Sequence, residues 1–189
     1  MLYIIKNTTG GRMDVKNVKA IHQINYGVYI VASRKGEKLN GQIVNTVFQV
    51  TSDPQTVAIC INKKNFTYEC IKESRVFSVS ILEKDVTMLF MGPWGFKSGR
   101  DTEKFAGVKH KIGVTGAPVV LENCTGYFEC EVMSETDAVT HTIFIGKVVA
   151  DEIIDGSKEA LTYEYYRQVK KGKSPANAPT YVKPEAKNV

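Results

Sequence analysis

The stretch that decides the fold runs from Leu39 to Leu82 and reads LNGQIVNTVFQVTSDPQTVAICINKKNFTYECIKESRVFSVSIL. Three of its segments are short and rich in β-branched residues, which is typical of strands: 42–50, 56–62 and 75–82. Between the second and the third, KKN leads into FTYECIKES, where Asn65 or Thr67 could cap a short helix. The predicted order is therefore two strands, a helix and a strand.

The strand pattern continues on both sides of this stretch. GVYIVAS, from Gly27 to Ser33, is apolar enough to be buried on both faces and is predicted to form a hairpin with segment 42–50. Four further β-rich segments follow residue 110: KIGV, APVVLE, GYFECEVMSE and THTIFIGKVVADEII. Many short strands without strand–helix alternation favour a mainly β fold, an antiparallel Greek-key barrel with a few short helices.

Helices are expected at two further places. Residues 83–91 have apolar positions at helical spacing and are predicted to end before Gly92 and Pro93. The tyrosine-rich segment 158–169 is predicted to form one helix with Tyr163, Tyr165 and Tyr166 packed on one face. The Pro-rich tail from about residue 170 is predicted to be extended.

Length and composition predict one folded domain. The chain has 189 residues, of which 43% are hydrophobic and 24% charged, which is close to the usual globular balance. We assign residues 13–189 to this domain and residues 1–12, with their Gly-Gly-Arg ending, to an N-terminal extension or tag-like segment. The apolar runs are too short to cross a bilayer and no export signal opens the sequence, so we expect a cytoplasmic protein that does not enter a membrane.

Charge and cysteine spacing argue against two other classes of protein. The net charge is +5, but acidic residues interleave the basic ones, so nucleic acid is not an expected partner. Cys60, Cys70, Cys124 and Cys130 form no C-x-x-C pair, so no metal site is expected. Cys60 and Cys130 lie in apolar runs and are interpreted as core residues.

Several ordered motifs together resemble the flavin reductase-like FMN-binding split-barrel family, in its flavoredoxin and NAD(P)H:flavin oxidoreductase branch. The motifs are Asn40-Gly41, Asn45-Thr46, Ser52-Asp53-Pro54, the polar loop 63–67, FKSGRDTEKF at 96–105 and THTIFIGKV at 140–148. Val139-Thr140 departs from the family's Gly-Asp. The resemblance covers roughly residues 18–181 and implies a split β-barrel that binds FMN without a covalent bond.

The resemblance also implies which residues hold the cofactor. Asn40, Asn45, Thr46 and the backbone at Val47 would surround the flavin ring. Lys63, Asn65 and Thr67 precede a predicted helix, whose N-terminus favours a phosphate, and Ser98, Gly99 and Lys104 would complete the phosphate site. From the residues alone, ordinary solvated loop charges are the favoured interpretation of these lysines, because lysine is mostly exposed in folded proteins.

His141 is the candidate for the reactive side of the flavin. Taken alone it is a histidine in an apolar strand, but the resemblance places it where nicotinamide would stack, to orient the nicotinamide or stabilise reduced flavin. Trp94 and Phe96 either shield the flavin or anchor their Gly-rich loop to the core, and the sequence does not decide between these roles.

Three functions fit these residues. The first is an NAD(P)H:flavin oxidoreductase that passes electrons to an acceptor. The second is an electron carrier that exchanges electrons with a ferredoxin- or rubredoxin-type protein, and the third is an FMN-storage or sensing module. The resemblance further implies a homodimer with each flavin near the subunit interface.

Overall fold

The β-rich segments form strands throughout residues 19–181, which are the residues that the computed structural model describes. The strands are β1 (Tyr29–Lys35), β2 (Lys38–Val44), β3 (Val47–Ser52), β4 (Gln55–Asn62), β5 (Val76–Leu82), β6 (His110–Ile112), β7 (Pro118–Val120), β8 (Cys124–Ala138) and β9 (His141–Ile153). The α-helices are α1 (Phe66–Ser74), α2 (Met88–Phe96) and α3 (Tyr163–Gln168), and a 3-10 helix covers Lys19–Gln23. The predicted extension, residues 1–12, lies outside the described residues.

Seven strands form one antiparallel sheet in the order β2-β1-β5-β8-β9-β4-β3. Its two edges, β2 and β3, are separated in sequence only by Asn45 and Thr46. In a flat sheet with strands about 4.8 Å apart these edges would lie roughly 29 Å from each other, which two residues cannot span. The sheet therefore curls until its edges meet at this bend, and the predicted mainly β split barrel is confirmed.

The core occupies both faces of β1. Val31 packs inside the barrel with Ile59, Phe77 and Phe144, all of them fully buried. Ile30 and Ala32 point to the other face and pack under α2 and the loop after it. The prediction that Gly27 to Ser33 is buried on both faces is thus correct for β1, and this second face positions the functional cavity.

Three predicted element boundaries are wrong, each because tertiary contacts override a local signal. The predicted strand 42–50 is broken at Asn45, where the chain turns from one sheet edge to the other. The predicted helix 83–91 begins later and continues through Gly92 and Pro93 as α2, because burial of Met91 and Trp94 holds the apolar run in place. The Thr87 hydroxyl caps α2 by accepting a hydrogen bond of 3.2 Å from the Phe90 amide.

The third wrong boundary concerns the helix predicted at 158–169. The helix is limited to α3, because the residues before it pair with strand ends instead. Ala160 forms a β-bridge with Glu83, and Thr162 forms one with Gly27. Beyond α3, the tail predicted to be extended folds into two consecutive turns, with Ala178 N donating to Pro175 O and Tyr181 N donating to Ala178 O.

Candidate functional site

A cavity of about 380 Å³ lies between β2, the end of β4, the start of α1, α2 and the loop that follows α2. This volume falls within the roughly 300–1,000 Å³ of typical small-molecule and cofactor sites. The cavity brings together most of the residues predicted from the sequence: Asn40, Asn45, Asn65, Thr67, Ser98, Gly99, Lys104 and His141.

At one end of the cavity the loop after α2 closes over a buried amide. Asn40 on β2 donates a 2.7 Å hydrogen bond to the hydroxyl of Thr67 on α1, and both side chains are almost fully buried. The Asn40 Oδ1 atom is buried, and no donor within residues 19–181 bonds to it. A Cβ atom on Gly99 would lie 1.8 Å from that oxygen, so only glycine lets the loop come this close. The site thus offers a ligand the Asn40 oxygen as an acceptor, next to the backbone of Gly99, which has no side chain to block the approach.

Lys104 brings a buried cation to the same end. Its Nζ atom donates to the carbonyl oxygens of Gly41 at 2.8 Å and Trp94 at 3.5 Å. No carboxylate pairs with it among residues 19–181. Burial therefore lowers the pKa of the Lys104 ammonium to about 8. An anion bound in the cavity would form the ion pair that Lys104 lacks within the described residues.

The cavity walls carry positive charge without negative charge. The charged residues that line it are Lys64, Lys97, Arg100, Lys104 and Lys173, and no aspartate or glutamate of the described chain is among the lining residues. Arg100 is already paired with Glu69, and it helps to lower the pKa of that carboxyl group. The wall therefore favours an anionic ligand.

A further part of the lining is built by the register of β4 and β9. Asn62, the last residue of β4, lies directly opposite His141, the first residue of β9. The His141 Nε2 atom lies 3.2 Å from the carbonyl oxygen of Asn177, and Nδ1 lies 2.9 Å from the hydroxyl of Thr140. Because a carbonyl can only accept, Nε2 donates this hydrogen bond, and in the Nε2–H tautomer Nδ1 accepts from Thr140.

The sequence resemblance implies a β-barrel with a site for an anionic cofactor. The structure has an antiparallel barrel with a cavity of cofactor size, and no aspartate or glutamate of the described chain lines it. The model of the flavin reductase-like domain family matches residues 21–172. The chain belongs to the flavin reductase-like family. The resemblance predicted from the motifs is confirmed, and with it the class of flavin-dependent redox proteins.

Relatives of this flavin reductase-like domain carry redox names. The ferric-chelate reductase (NAD(P)H) of Archaeoglobus fulgidus is 44% identical over 165 residues, which cover 87% of this chain and 97% of the relative. The high molecular weight rubredoxin of Moorella thermoacetica is also 44% identical over 165 residues, which cover 87% of this chain and 72% of the relative. Among solved structures, flavoredoxin from Methanosarcina acetivorans superposes with a TM-score of 0.65 at 22% identity, covering 81% of this chain and 76% of the other, and so shares the fold.

Three predicted residues do not line the cavity of the flavin reductase-like domain. The Lys63 ammonium pairs with Asp137, whose pKa it lowers, and donates to the carbonyl oxygen of Val139 at 2.9 Å. Thr46 donates to the Asn45 side chain at 3.2 Å, and Val47 pairs with Ile59 in the sheet. The roles of Lys63, Thr46 and Val47 at the cofactor stay predictions from the sequence. The buried cation that lines the cavity is Lys104 and not Lys63.

The structure assigns different places to the two aromatics that the sequence left open. Trp94 is 2% exposed and packs edge-on against Phe105 at 5.2 Å between ring centroids, so it anchors the loop to the core while one side borders the cavity. Phe96 lines the cavity mouth and is 58% exposed. Of the three tyrosines, Tyr166 is buried, and Tyr163 stacks on it with ring centroids 5.9 Å apart.

Sequence reasoning missed part of the site. Asn62 lines the cavity, and so does the whole segment from Lys173 to Thr180, which we call the C-terminal strap. A polar residue ending an apolar strand was a usable signal for Asn62. The strap gave no such signal, because its Pro-rich composition indicates extension and not a docking place.

The described chain gives little support to other chemistries. Within residues 19–181, no group of three or more His, Cys, Asp or Glu side chains is close enough to hold a metal ion. Burial raises the pKa of Cys70, Cys124 and Cys130 to about 12, which keeps these thiols unreactive. None of the helices described is long and apolar enough to span a membrane.

Proposed function

We propose that this chain binds FMN non-covalently in the cavity and transfers electrons from a reduced nicotinamide to an acceptor. The observation that carries the proposal is the composition of the cavity wall in a flavin reductase-like domain. Among the described residues, the wall contains the buried Lys104, which has no carboxylate partner, and the Asn40 oxygen, which has no hydrogen-bond donor. When bound, FMN supplies hydride acceptance and one-electron transfer.

The residues present fit the parts of FMN. The dianionic phosphate needs cations and N–H donors, which Lys104, the loop at Gly99 and Arg100, and the start of α1 supply. The flavin ring needs a slot with an apolar wall and polar edges. Trp94 and Met91 provide that wall, and Asn45 and Asn62 provide amide groups at the rim.

His141 is the proposed group at the reactive side of the ring. It lines the cavity and lies directly opposite Asn62 in the register of β4 and β9. With FMN bound, an Nε2–H donor in this place would stabilise negative charge on the reduced flavin, and it could orient the carboxamide of a nicotinamide. It acts as a hydrogen-bond donor rather than as a nucleophile.

The test uses the purified chain, FMN and NADH. Incubation with FMN and gel filtration should leave a yellow protein, and NADH with excess FMN should then be oxidised in the presence of the protein, as followed by loss of nicotinamide absorbance. A protein that stays colourless would overturn the proposal at its root.

An electron carrier without nicotinamide activity is the second candidate. It is favoured by the similarity to a protein named high molecular weight rubredoxin. In that case the bound FMN should be reduced by a reduced ferredoxin- or rubredoxin-type protein, while NADH should leave it oxidised.

A homodimer is part of the proposed function. It is supported by the edge strand β3, which lacks a partner on one side among the described strands and exposes Phe48 by 54%. Phe48 borders a groove of about 470 Å³ together with Ile153, which is 76% exposed. Exposed apolar side chains beside an open sheet edge are typical of a protein–protein contact.

The cytoplasm is the proposed place of action. All four cysteines are free thiols, which is typical of a reducing compartment.

A further inference from the structure

We infer that the C-terminal strap, residues 173–180, determines which class of electron donor reaches the cavity. The family match ends at residue 172, so membership of the family says nothing about this segment. The inference rests on the proposed function, because it takes the cavity to be the flavin site. Every residue of the strap nevertheless lines the cavity, and the carbonyl oxygen of Asn177 lies at His141.

The strap is hydrogen-bonded to three asparagines of the cavity wall, Asn45, Asn62 and Asn65. Asn45 donates to the Thr180 hydroxyl at 2.9 Å, and Asn62 donates to the Asn177 carbonyl oxygen at 3.1 Å. The Asn177 side chain donates in turn to Asn65 Oδ1 at 3.1 Å. These bonds join residues that are 112 to 135 positions apart in sequence, so they hold the strap in one defined place.

The strap also occupies His141. The carbonyl oxygen of Asn177 accepts from the Nε2 atom, the donor that the proposed function assigns to the flavin or the nicotinamide. While the strap is closed, this proton is unavailable to any ligand. A dinucleotide that stacks at His141 must therefore displace the strap, whereas a donor that passes electrons from outside does not need to enter.

The strap is built to move as a unit. Pro175 and Pro179 restrict its backbone, and the turn bond from Ala178 N to Pro175 O closes it internally. Its joint with the body of the protein is at Lys171, whose φ is 53°, and Gly172, where a Cβ atom would lie 2.1 Å from the Tyr166 ring. The Tyr166 hydroxyl holds the near end by donating to the Lys173 carbonyl oxygen at 2.8 Å.

The proposal is tested by loosening the strap without shortening the chain. The double variant Asn177→Ala with Thr180→Val removes the side-chain bonds to Asn65 and Asn45. Thr136→Val is the matched control, because Thr136 is exposed on β8 and its side chain forms no hydrogen bond within the described residues. Each FMN-loaded protein is mixed anaerobically with NADH or with dithionite, and bleaching of the flavin is followed by stopped flow.

We expect NADH to reduce the double variant about tenfold faster than the wild type, since two hydrogen bonds no longer hold the strap closed. Dithionite, which is small, should reduce both at similar rates, and the control should behave as the wild type. Equal NADH rates in wild type and double variant would overturn the inference, including the case in which NADH reduces neither.

A measurement on the protein without FMN separates this inference from the proposed function. Long-range ¹H–¹⁵N spectra report the tautomer of each of the three histidines, and His141→Gln identifies the signal of His141. The wild type should show the Nε2–H tautomer at His141, and the double variant a mixture. The same tautomer in both would contradict the strap contact. Failure to bind FMN together with a tautomer difference would contradict the proposed function, and with it the role in donor choice, but would leave the strap contact in place.

Discussion

At the scale of single residues, the site depends on groups that the fold leaves without partners. Lys104 is buried with carbonyl oxygens as acceptors and no carboxylate among the described residues, and Asn40 Oδ1 has no donor. Leaving buried polar groups unsatisfied costs stability, so such groups indicate a place reserved for a ligand. An anionic cofactor supplies the charge partner of Lys104, whereas Asn40 Oδ1 is an acceptor that only an N–H or O–H group of a ligand can satisfy.

Lys104→Met tests the cation directly. The substitution keeps an unbranched chain of similar length and removes the charge, so FMN should bind about 10- to 100-fold more weakly, as expected for the loss of a charge-assisted bond of about 1.5–3 kcal/mol. Flavin fluorescence quenching measures the dissociation constant. Lys147→Met, at an exposed lysine of β9 remote from the cavity lining, is the control. Equal affinity in Lys104→Met and this control would show that Lys104 does not hold the phosphate.

The pH dependence of FMN binding follows from the same lysine. Burial places the Lys104 pKa at about 8 in the free protein, and a bound phosphate raises it because the anion favours the charged form. Binding therefore takes up a proton above pH 8, and affinity should fall as pH rises, by up to about tenfold per pH unit. Titrations between pH 7 and pH 9.5 check this, and a flat profile that matches Lys104→Met would contradict it.

At the scale of elements, the loop after α2 decides whether the cavity exists. The loop reaches Asn40 only because Gly99 has no side chain. Gly99→Ala should push the loop outward and weaken FMN binding about tenfold or more, with little change in the melting temperature of the barrel, because no core side chain is altered. Gly156→Ala is the control, since its Cβ would make an ordinary contact of 3.5 Å with Ile153. Unchanged FMN affinity in Gly99→Ala would rule out this role of the loop.

The elements also show what the sequence could and could not predict. Strands such as β4 and β5 were predictable because β-branched runs with polar ends indicate a strand locally. The bounds of α2 were not, because Gly92 and Pro93 indicate a helix end and only the burial of Met91 and Trp94 overrides them. Motif order placed eight of the eleven predicted site residues in the cavity lining. Lys63 shows the limit of this reasoning, because its ammonium pairs with Asp137, which lies 74 positions away, and Lys63 does not line the cavity.

The strap was unpredictable for a related reason. Its bonds to Asn45, Asn62 and Asn65 join distant positions, and its Pro-rich composition has no periodicity that indicates a docked segment. Long-range hydrogen bonds leave no local trace in the sequence. The family resemblance likewise did not supply the strap, because the motifs that carry it end at residue 148 and the family model ends at residue 172.

At the scale of the whole molecule, the curl of the sheet leaves β3 as an exposed edge. We expect the protein to elute as a dimer in gel filtration with light scattering. Phe48→Glu should shift it to a monomer, because a charge in an apolar contact is costly to bury. Leu89→Glu, at an exposed apolar residue of α2, is the control and should leave the mass unchanged. A monomeric wild type would contradict the proposed dimer.

We propose above all that the cavity, which no aspartate or glutamate of the described chain lines, binds FMN through the phosphate group of the cofactor. The most direct measurement compares FMN with riboflavin, which has the same ring without the phosphate, by equilibrium titration of the cofactor-free protein. We expect one FMN bound per chain and riboflavin binding that is weaker by at least about tenfold, because riboflavin lacks the charge-assisted bonds of the phosphate. Equal affinity for the two flavins, or no binding of FMN, would contradict it.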